Sequence, residues 1–430
     1  MATSKLRRSL GPIHLWALAV GLVISGEYFG WSYGWGVAGP LGFLVATGVV
    51  VVLYVALSLC MSELATSIPD AGGPYAYAER AFGPWGGFVA GIASLIEFVL
   101  APPAIAYGLG SYLHVLSPSI PAVSAACIAM LVFGLVNLAE TKQSATFETT
   151  VTLIAIVELI IFISVAIPSF RAENFLADGW MGGTEGIFAA IPFAIWFFLG
   201  IEGMAMAAEE AHDPAKNLPR GFLWGIFTLV ILAMGVMLAA GGAGDWKRLN
   251  AMDFPIPEAV SMALGAGHPW VKLFAGLFFF FFFFFLLGFI FGAARQIFAI
   301  SRSGLLPKML SQLTSKGVPA WSVKFVVFSG LIAIGSGKTA DLITLSALGA
   351  LLVYALCALS LIRLRKKDRA LKRPFKVPLY PVTPVLTVAL SAVALVAIAY
   401  SNPKVFGIFV ILLAGACLGK YFGITRRKRR

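Results

Sequence analysis

The sequence predicts an all-α integral membrane protein, and three observations carry that expectation. Hydrophobic residues make up 59% of the chain and charged residues 12%, about half the charge of a water-soluble domain. Apolar stretches long enough to cross a hydrocarbon core of about 30 Å recur from one end of the chain to the other. Each exceeds the roughly ten residues of a barrel strand and none alternates in period two, so helices are the expected spanning elements.

Twelve such segments follow in order. Span 1 is expected near 12–36. Its front, Lys5-Leu6-Arg7-Arg8 followed by Ala17-Leu18-Ala19, mimics a cleaved leader, but the apolar run continues into a Trp/Tyr/Gly-rich end, so a retained span is expected. Span 2, near 41–67, runs into a polar loop rich in Pro and Gly, residues that punctuate helices. Spans 3, 4 and 5 are expected near 87–114, 120–138 and 147–168, span 6 near 187–207 and span 7 near 221–242. Span 8, near 270–297, contains an unbroken phenylalanine run, Phe278 to Phe285. One helix face cannot absorb consecutive residues, so rings are expected toward lipid as well as toward the bundle. Spans 9 to 12 are expected near 319–337, 341–363, 380–400 and 403–422. A basic loop, 364–379, separates spans 10 and 11, and short flanks occupy 1–11 and 423–430.

The formal charge of +12 reads as topology and not as a nucleic-acid signal. Basic residues gather at Lys5, Arg7 and Arg8, after span 8 (Arg302, Lys308, Lys316), in the run from Arg363 to Lys376, and in the closing Arg426-Arg427-Lys428-Arg429-Arg430. All of these fall at the termini or in even-numbered loops. The positive-inside rule therefore predicts cytoplasmic termini in a plasma (inner) membrane, which requires an even number of spans. The last cluster is expected to touch anionic lipid.

Several function classes are disfavoured at this level, a membrane receptor or enzyme staying only as a remote alternative. Cys60, Cys127, Cys357 and Cys417 lie in apolar stretches without paired spacing, so neither a disulfide framework nor a metal site is expected. The histidines, His14, His114, His212 and His268, sit near span ends or in loops, and no nucleophile or metal-ligand motif occurs, so the chain is not read as an enzyme and no cofactor is expected. No soluble stretch of about 50 residues is present to serve a receptor.

The acids are placed differently. Glu27, Glu97, Glu158 and Glu202 lie inside spans 1, 3, 5 and 6, while Lys272, Arg295 and Lys420 stay near span ends. An ionisable group in mid-membrane costs at least about 2.5 kcal/mol and normally faces a partner, a wet cavity or a ligand. An interior lined by carboxylates without matching cations suits a cationic solute or protons. Ser25-Gly26-Glu27 in span 1 and Gly200-Ile201-Glu202-Gly203 in span 6 set an acid beside helix-breaking glycines. Broken hydrophobic segments in corresponding positions, five spans apart, predict inverted repeats with a binding site at their interface.

The loops add a family resemblance. Glu63-Leu64-Ala65 and Pro69-Asp70-Ala71-Gly72-Gly73-Pro74-Tyr75 after span 2, Ala208-Glu209-Glu210 to Leu218-Pro219-Arg220 after span 6, and Arg373-Pro374-Phe375-Lys376-Val377-Pro378 after span 10 resemble the amino acid-polyamine-organocation permeases. The string Gly21-Leu22-Val23-Ile24-Ser25-Gly26-Glu27-Tyr28-Phe29-Gly30-Trp31 resembles the ethanolamine permease branch. The resemblance implies a leucine-transporter-type fold of five plus five inverted spans (12–168 and 187–363), with spans 1 and 6 broken and two further spans (380–422).

It also implies secondary transport by alternating access. Amino acid carriers of this family usually hold the substrate carboxylate on a small Gly-Ser-Gly-like break in span 1, a space that Glu27 takes up here. A carboxylate there repels another, so a small amine is expected, with ethanolamine named by the resemblance, and a cationic amino acid carrier is the alternative. The expected substrate site comprises Ser25, Gly26, Glu27, Tyr28, Glu97, Trp196, Gly200 and Ile201. Trp196 resembles the family's occluding aromatic, and Glu202 and Glu158 are expected to serve proton-linked gating. Sodium-coupled relatives carry hydroxyls on span 8 where this chain has phenylalanine, so no sodium site is expected there. The expected partners are the amine, the lipid bilayer and protons.

Overall fold

The computed structural model describes residues 9–139, 145–315 and 317–428. Lys5, Arg7, Arg8, Lys316 and Arg429-Arg430, on which part of the predicted sidedness rests, lie outside them. The described residues form an all-helical membrane bundle, the only strand-like contact being a bridge between Leu10 and Ala211. Among the described residues nine helices are long and apolar enough to cross a bilayer, and Pro12–Gly21, Ala122–Leu138 and Ala320–Ile334 are shorter apolar helices. The resulting twelve spans fall close to the expected segments.

Span 1 is assembled from Pro12–Gly21, a short turn Ser25–Tyr28, and the first residues of Trp31–Ser67. That last helix bends at Gly39 (φ +69), immediately before Pro40, and continues as span 2. Proline lacks an N–H and crowds the preceding turn, and the amides of Leu41 and Gly42 are instead taken up by the Gly179 carbonyl (2.8 and 3.3 Å) in the loop before span 6. Spans 3, 4 and 5 are Pro84–Leu116, Ala122–Leu138 and Ala145–Ala166. Span 6 is Gly183–Trp196 followed, across a non-helical 197–200, by the 3-10 helix Ile201–Glu210. Spans 7 to 12 are Pro214–Gly242, Pro269–Arg302, Ala320–Ile334, Thr339–Lys367, Val382–Ser401 and Pro403–Lys428.

Of the nine long helices, those of spans 3, 6 and 10 are the most enclosed, and that of span 12 is the least. Span 8 resolves the phenylalanine run into two faces. Phe278, Phe281, Phe282 and Phe285 are buried, at spacings of three and four that form one helical stripe, whereas Phe280 is exposed. The buried stripe packs toward spans 1 and 3, with the Tyr28 ring 4.6 Å from Phe278 and the Tyr112 ring 5.2 Å from Phe282.

The three loop motifs meet on one side of the bundle. The Ala71 amide donates to Glu209 Oε1 (3.0 Å), joining the loop after span 2 to the end of span 6. Glu63, at the end of span 2 and 2% exposed, accepts from Arg365 Nε (2.8 Å), from Arg365 Nη2, and from the Val377 amide (2.7 Å), with Arg373 Nε 3.4 Å away. Residues more than 300 positions apart thus close around a single carboxylate.

Candidate functional site

The two broken spans cross at a point of backbone contact. A Cβ at Gly26 would stand 2.3 Å from the Trp196 carbonyl oxygen, closer than any real Cβ contact, so only glycine lets span 1 approach span 6 here. Four residues on, Gly30 takes φ +93, a left-handed geometry that side chains disfavour, and the Trp196 ring covers the space a Cβ would need. The sequence expectation is corrected in detail. Ser25-Gly26-Glu27 is itself a helical turn, and the interruption falls on either side of it, at 22–24 and at Phe29-Gly30. Gly26 serves contact and Gly30 serves the break. In span 6 the break follows Trp196 and ends at Gly200 (φ +101) and Ile201.

Glu27 is wholly buried, and among the described residues no hydrogen-bond donor reaches either carboxylate oxygen. Its backbone carbonyl accepts from the Trp31 indole (3.1 Å), which holds the turn in place. Ser25 is buried beside it. Trp196 is 3% exposed, its ring 5.5 Å edge-on from Phe29, and its indole N–H has no partner. An unpaired buried donor and an unpaired buried acid at one crossing are the groups a polar ligand would satisfy.

The other acids form two further groups. Glu97 of span 3 and Glu202 of span 6 are neighbours, both fully buried, and neither Glu97 oxygen nor Glu202 Oε1 has a hydrogen-bond partner among the described residues. Glu202 Oε2 accepts from Tyr354 OH of span 10 (3.0 Å), whose oxygen is 3.0 Å from Tyr54 OH of span 2. Tyr54 OH is also 3.3 Å from the Ile195 carbonyl, one residue before Trp196. Glu158 of span 5 stands apart from this pair. Its Oε2 is 3.4 Å from Tyr28 OH, which also reaches the Ala155 carbonyl (3.2 Å), while Tyr112 OH donates to the Tyr28 carbonyl (2.8 Å). Glu202 and Glu158, paired in expectation as gates, therefore belong to separate clusters with different partners.

Sequence reading missed Tyr54, Tyr112 and Tyr354, whose only signal was a hydroxyl in an otherwise apolar span. It also missed Asp253, in the loop between spans 7 and 8, which gave no signal. Asp253 accepts from Tyr33 OH of span 1 (2.7 Å) and from Thr339 at the start of span 10 (3.4 Å), bridging the two spans above the site. Burial holds its carboxyl above the usual aspartate range, while the hydroxyls of Tyr33, Thr339 and Ser111 pull the other way. Among the described residues no cluster of potential metal ligands occurs.

Comparison with known proteins accords with this architecture. Residues 14–424 match the family described as amino acid permease. An uncharacterized transporter of Rhizobium meliloti (strain 1021) is 30% identical over 411 residues, 92% of this chain and 87% of that protein. The methylthioribose transporter and a branched-chain amino acid permease of Bacillus subtilis (strain 168) are each 28% identical, covering 99% and 89% of this chain and 95% and 86% of their own. Paired broken helices enclosing unpartnered polar groups, inside a twelve-span bundle, are what alternating access needs, and the chain belongs to the amino acid permease family as a multi-pass secondary transporter of small organic substrates.

Proposed function

We propose that this permease imports a small organic amine, with ethanolamine as the leading candidate, across a plasma (inner) membrane with both termini in the cytoplasm. The observation that carries the reading is Glu27: a carboxylate wholly buried where the broken spans cross, with neither oxygen bonded. Leaving such a group unpaired is costly, and an ammonium repays that cost. In this reading Ser25, Gly26, Tyr28, Gly200 and Ile201 line the same crossing, Trp196 closes over it, and Glu97, beside Glu202, serves as a second acid for the substrate. The halves 12–168 and 187–363 would rock about this site.

A proton fits as the coupling partner. Ionised carboxylates only accept hydrogen bonds, and a proton on either of the neighbouring acids Glu97 and Glu202 would turn one of two buried acceptors into a donor. In this reading Glu202 transmits that proton's state to Tyr354 and Tyr54, while Glu158 acts on span 1 through Tyr28. Labelled ethanolamine uptake into proteoliposomes, with pH and sodium gradients imposed separately, tests substrate and coupling together. Uptake driven by the pH gradient and lost in Glu27→Gln is the expected result, and undiminished uptake by that variant removes Glu27 from the site.

The second reading is a carrier of amino acids, cationic ones in view of the acidic interior, and relatives named for amino acids, such as the branched-chain permease, support its amino acid part. Competition separates the two: an amino acid carrier is inhibited more by lysine than by its decarboxylated amine.

A further inference from the structure

A second charged site lies away from the crossing, where the loop after span 10 leaves the membrane. A cavity of about 240 Å³ is lined by four residues, Arg365, Arg369, Arg373 and Lys376, all cationic. Two of them are held in place. Arg365 is fixed by Glu63 and lies 4.0 Å over the Tyr380 ring. Arg373 donates to the carbonyls of Leu364, Asp368 and Leu371, each at 2.9 Å. The other two, Arg369 and Lys376, are exposed and have no hydrogen bond or ion pair among the described residues.

Charge counting decides what such a cavity takes. Glu63 neutralises one of the four cations, and the nearby Asp368 is already engaged by Arg80 (2.8 Å). A basic surface of this kind is expected at a membrane face for topology alone. Topology does not, however, require that two guanidiniums be oriented by a buried carboxylate and by main-chain carbonyls while two further cations remain free around a common concavity. A carboxylate ligand would leave most of the charge uncompensated. Inorganic phosphate or a phosphomonoester such as phosphatidic acid supplies up to two negative charges and several acceptor oxygens, matching fixed guanidiniums and an exposed ammonium.

We propose that Arg365, Arg369, Arg373 and Lys376 form a binding site for a phosphate group. Such a group can arrive on an anionic lipid headgroup or as a free phosphate, and because Arg365 and the Val377 amide share Glu63, its occupancy bears directly on the contact between spans 2 and 10. The site does not depend on the identity of the transported substrate.

The test compares delipidated full-length protein with its Arg369→Ala/Lys376→Ala variant, which leaves the Glu63 contacts intact. Retention of phosphatidic acid and of phosphatidylcholine is read by native mass spectrometry, and inorganic phosphate binding by calorimetry. Phosphatidic acid binding is expected to fall by about tenfold or more in the variant, with phosphatidylcholine unchanged, since each surface cation contributes about 1 kcal/mol toward an anionic lipid. Loss of both phosphatidic acid and inorganic phosphate assigns the site to the phosphate group itself, and loss of phosphatidic acid alone assigns it to the lipid. Equal binding of phosphatidic acid and phosphate by both proteins overturns the proposal, and so does equal loss of phosphatidic acid and phosphatidylcholine. An Arg369→Lys/Lys376→Arg variant that keeps the charges should bind as the wild type does.

Discussion

Glu27 and Glu63 are both buried carboxylates on the first two spans, and their surroundings are opposite. Glu63, 2% exposed, collects two guanidiniums and a backbone amide from the far end of the chain. Glu27, wholly buried, has no donor to its carboxylate among the described residues. A buried charge whose partners are all protein groups holds the fold together, because removing either side strands the other. A buried charge with no protein partner waits for something that comes and goes. The difference separates a structural acid from a working one more sharply than depth or burial, which the two share.

The comparison can be broken first at Glu63. Glu63→Gln leaves Arg365 and Arg373 without a counter-charge, an expected loss of about 3–5 kcal/mol. It should appear as a large fall in melting temperature and in folded yield, while protein that does fold keeps its substrate affinity. A stable Glu63→Gln protein that fails only in binding would reverse the roles assigned to the two acids.

Glu27→Gln should behave the other way round. Loss of a buried charge pair with the substrate typically costs 2–5 kcal/mol, about thirtyfold or more in apparent affinity for the amine. Its melting temperature should be unchanged or higher, since no internal bond is lost. Binding by scintillation proximity and thermal unfolding on the same sample give both numbers.

Tyr354→Phe sharpens the comparison inside the bundle. It removes one hydrogen bond to Glu202, worth about 1 kcal/mol, and leaves the Glu27 crossing untouched. The expected signature is a displaced pH profile of uptake with little change in amine affinity at the optimum. A change in affinity without a change in profile would make Tyr354 a substrate contact.

The smallest effect is expected at Asp253. Burial raises its carboxyl where it bridges spans 1 and 10, so this closed-over arrangement binds a proton more tightly than one in which the loop has opened to water. Acidification therefore favours closure over the site, and closure weakens as pH rises through the raised value. Labelling of a cysteine introduced at Ser111 should slow as pH falls in the wild type, and Asp253→Asn should flatten that dependence. Labelling that accelerates on acidification contradicts the sign.

The crossing was legible in outline because its signals are local. A glutamate beside glycine in an apolar run reads as an intramembrane acid wherever the spans later pack, and recurrence five spans on marks corresponding positions. The precise break was not legible. Gly26 and Gly30 look alike in sequence, and only the Trp196 carbonyl against one and the φ of +93 at the other distinguish contact from interruption. Trp196 was placed by motif, and its unbonded indole came from packing. Tyr54, Tyr354 and Asp253 were invisible for a shared reason: their partners are 141, 152 and 220 residues away.

Helix identity, span number and the acidic interior followed from composition and periodicity, since a bilayer admits few backbone solutions and each span must satisfy its own hydrogen bonds. The phenylalanine run shows where that reach stops: its sequence announces only a ring-covered helix, and packing against Tyr28 and Tyr112 chose which rings are buried. Which acid is paired and which is free was likewise decided by tertiary structure alone. Span 10 and the loop beyond it bring Arg365, Arg373 and the Val377 amide to Glu63, and no segment brings a donor to Glu27. Pairing is a property of positions in space, and a linear pattern carries it only when both partners lie within a helical turn or two of each other.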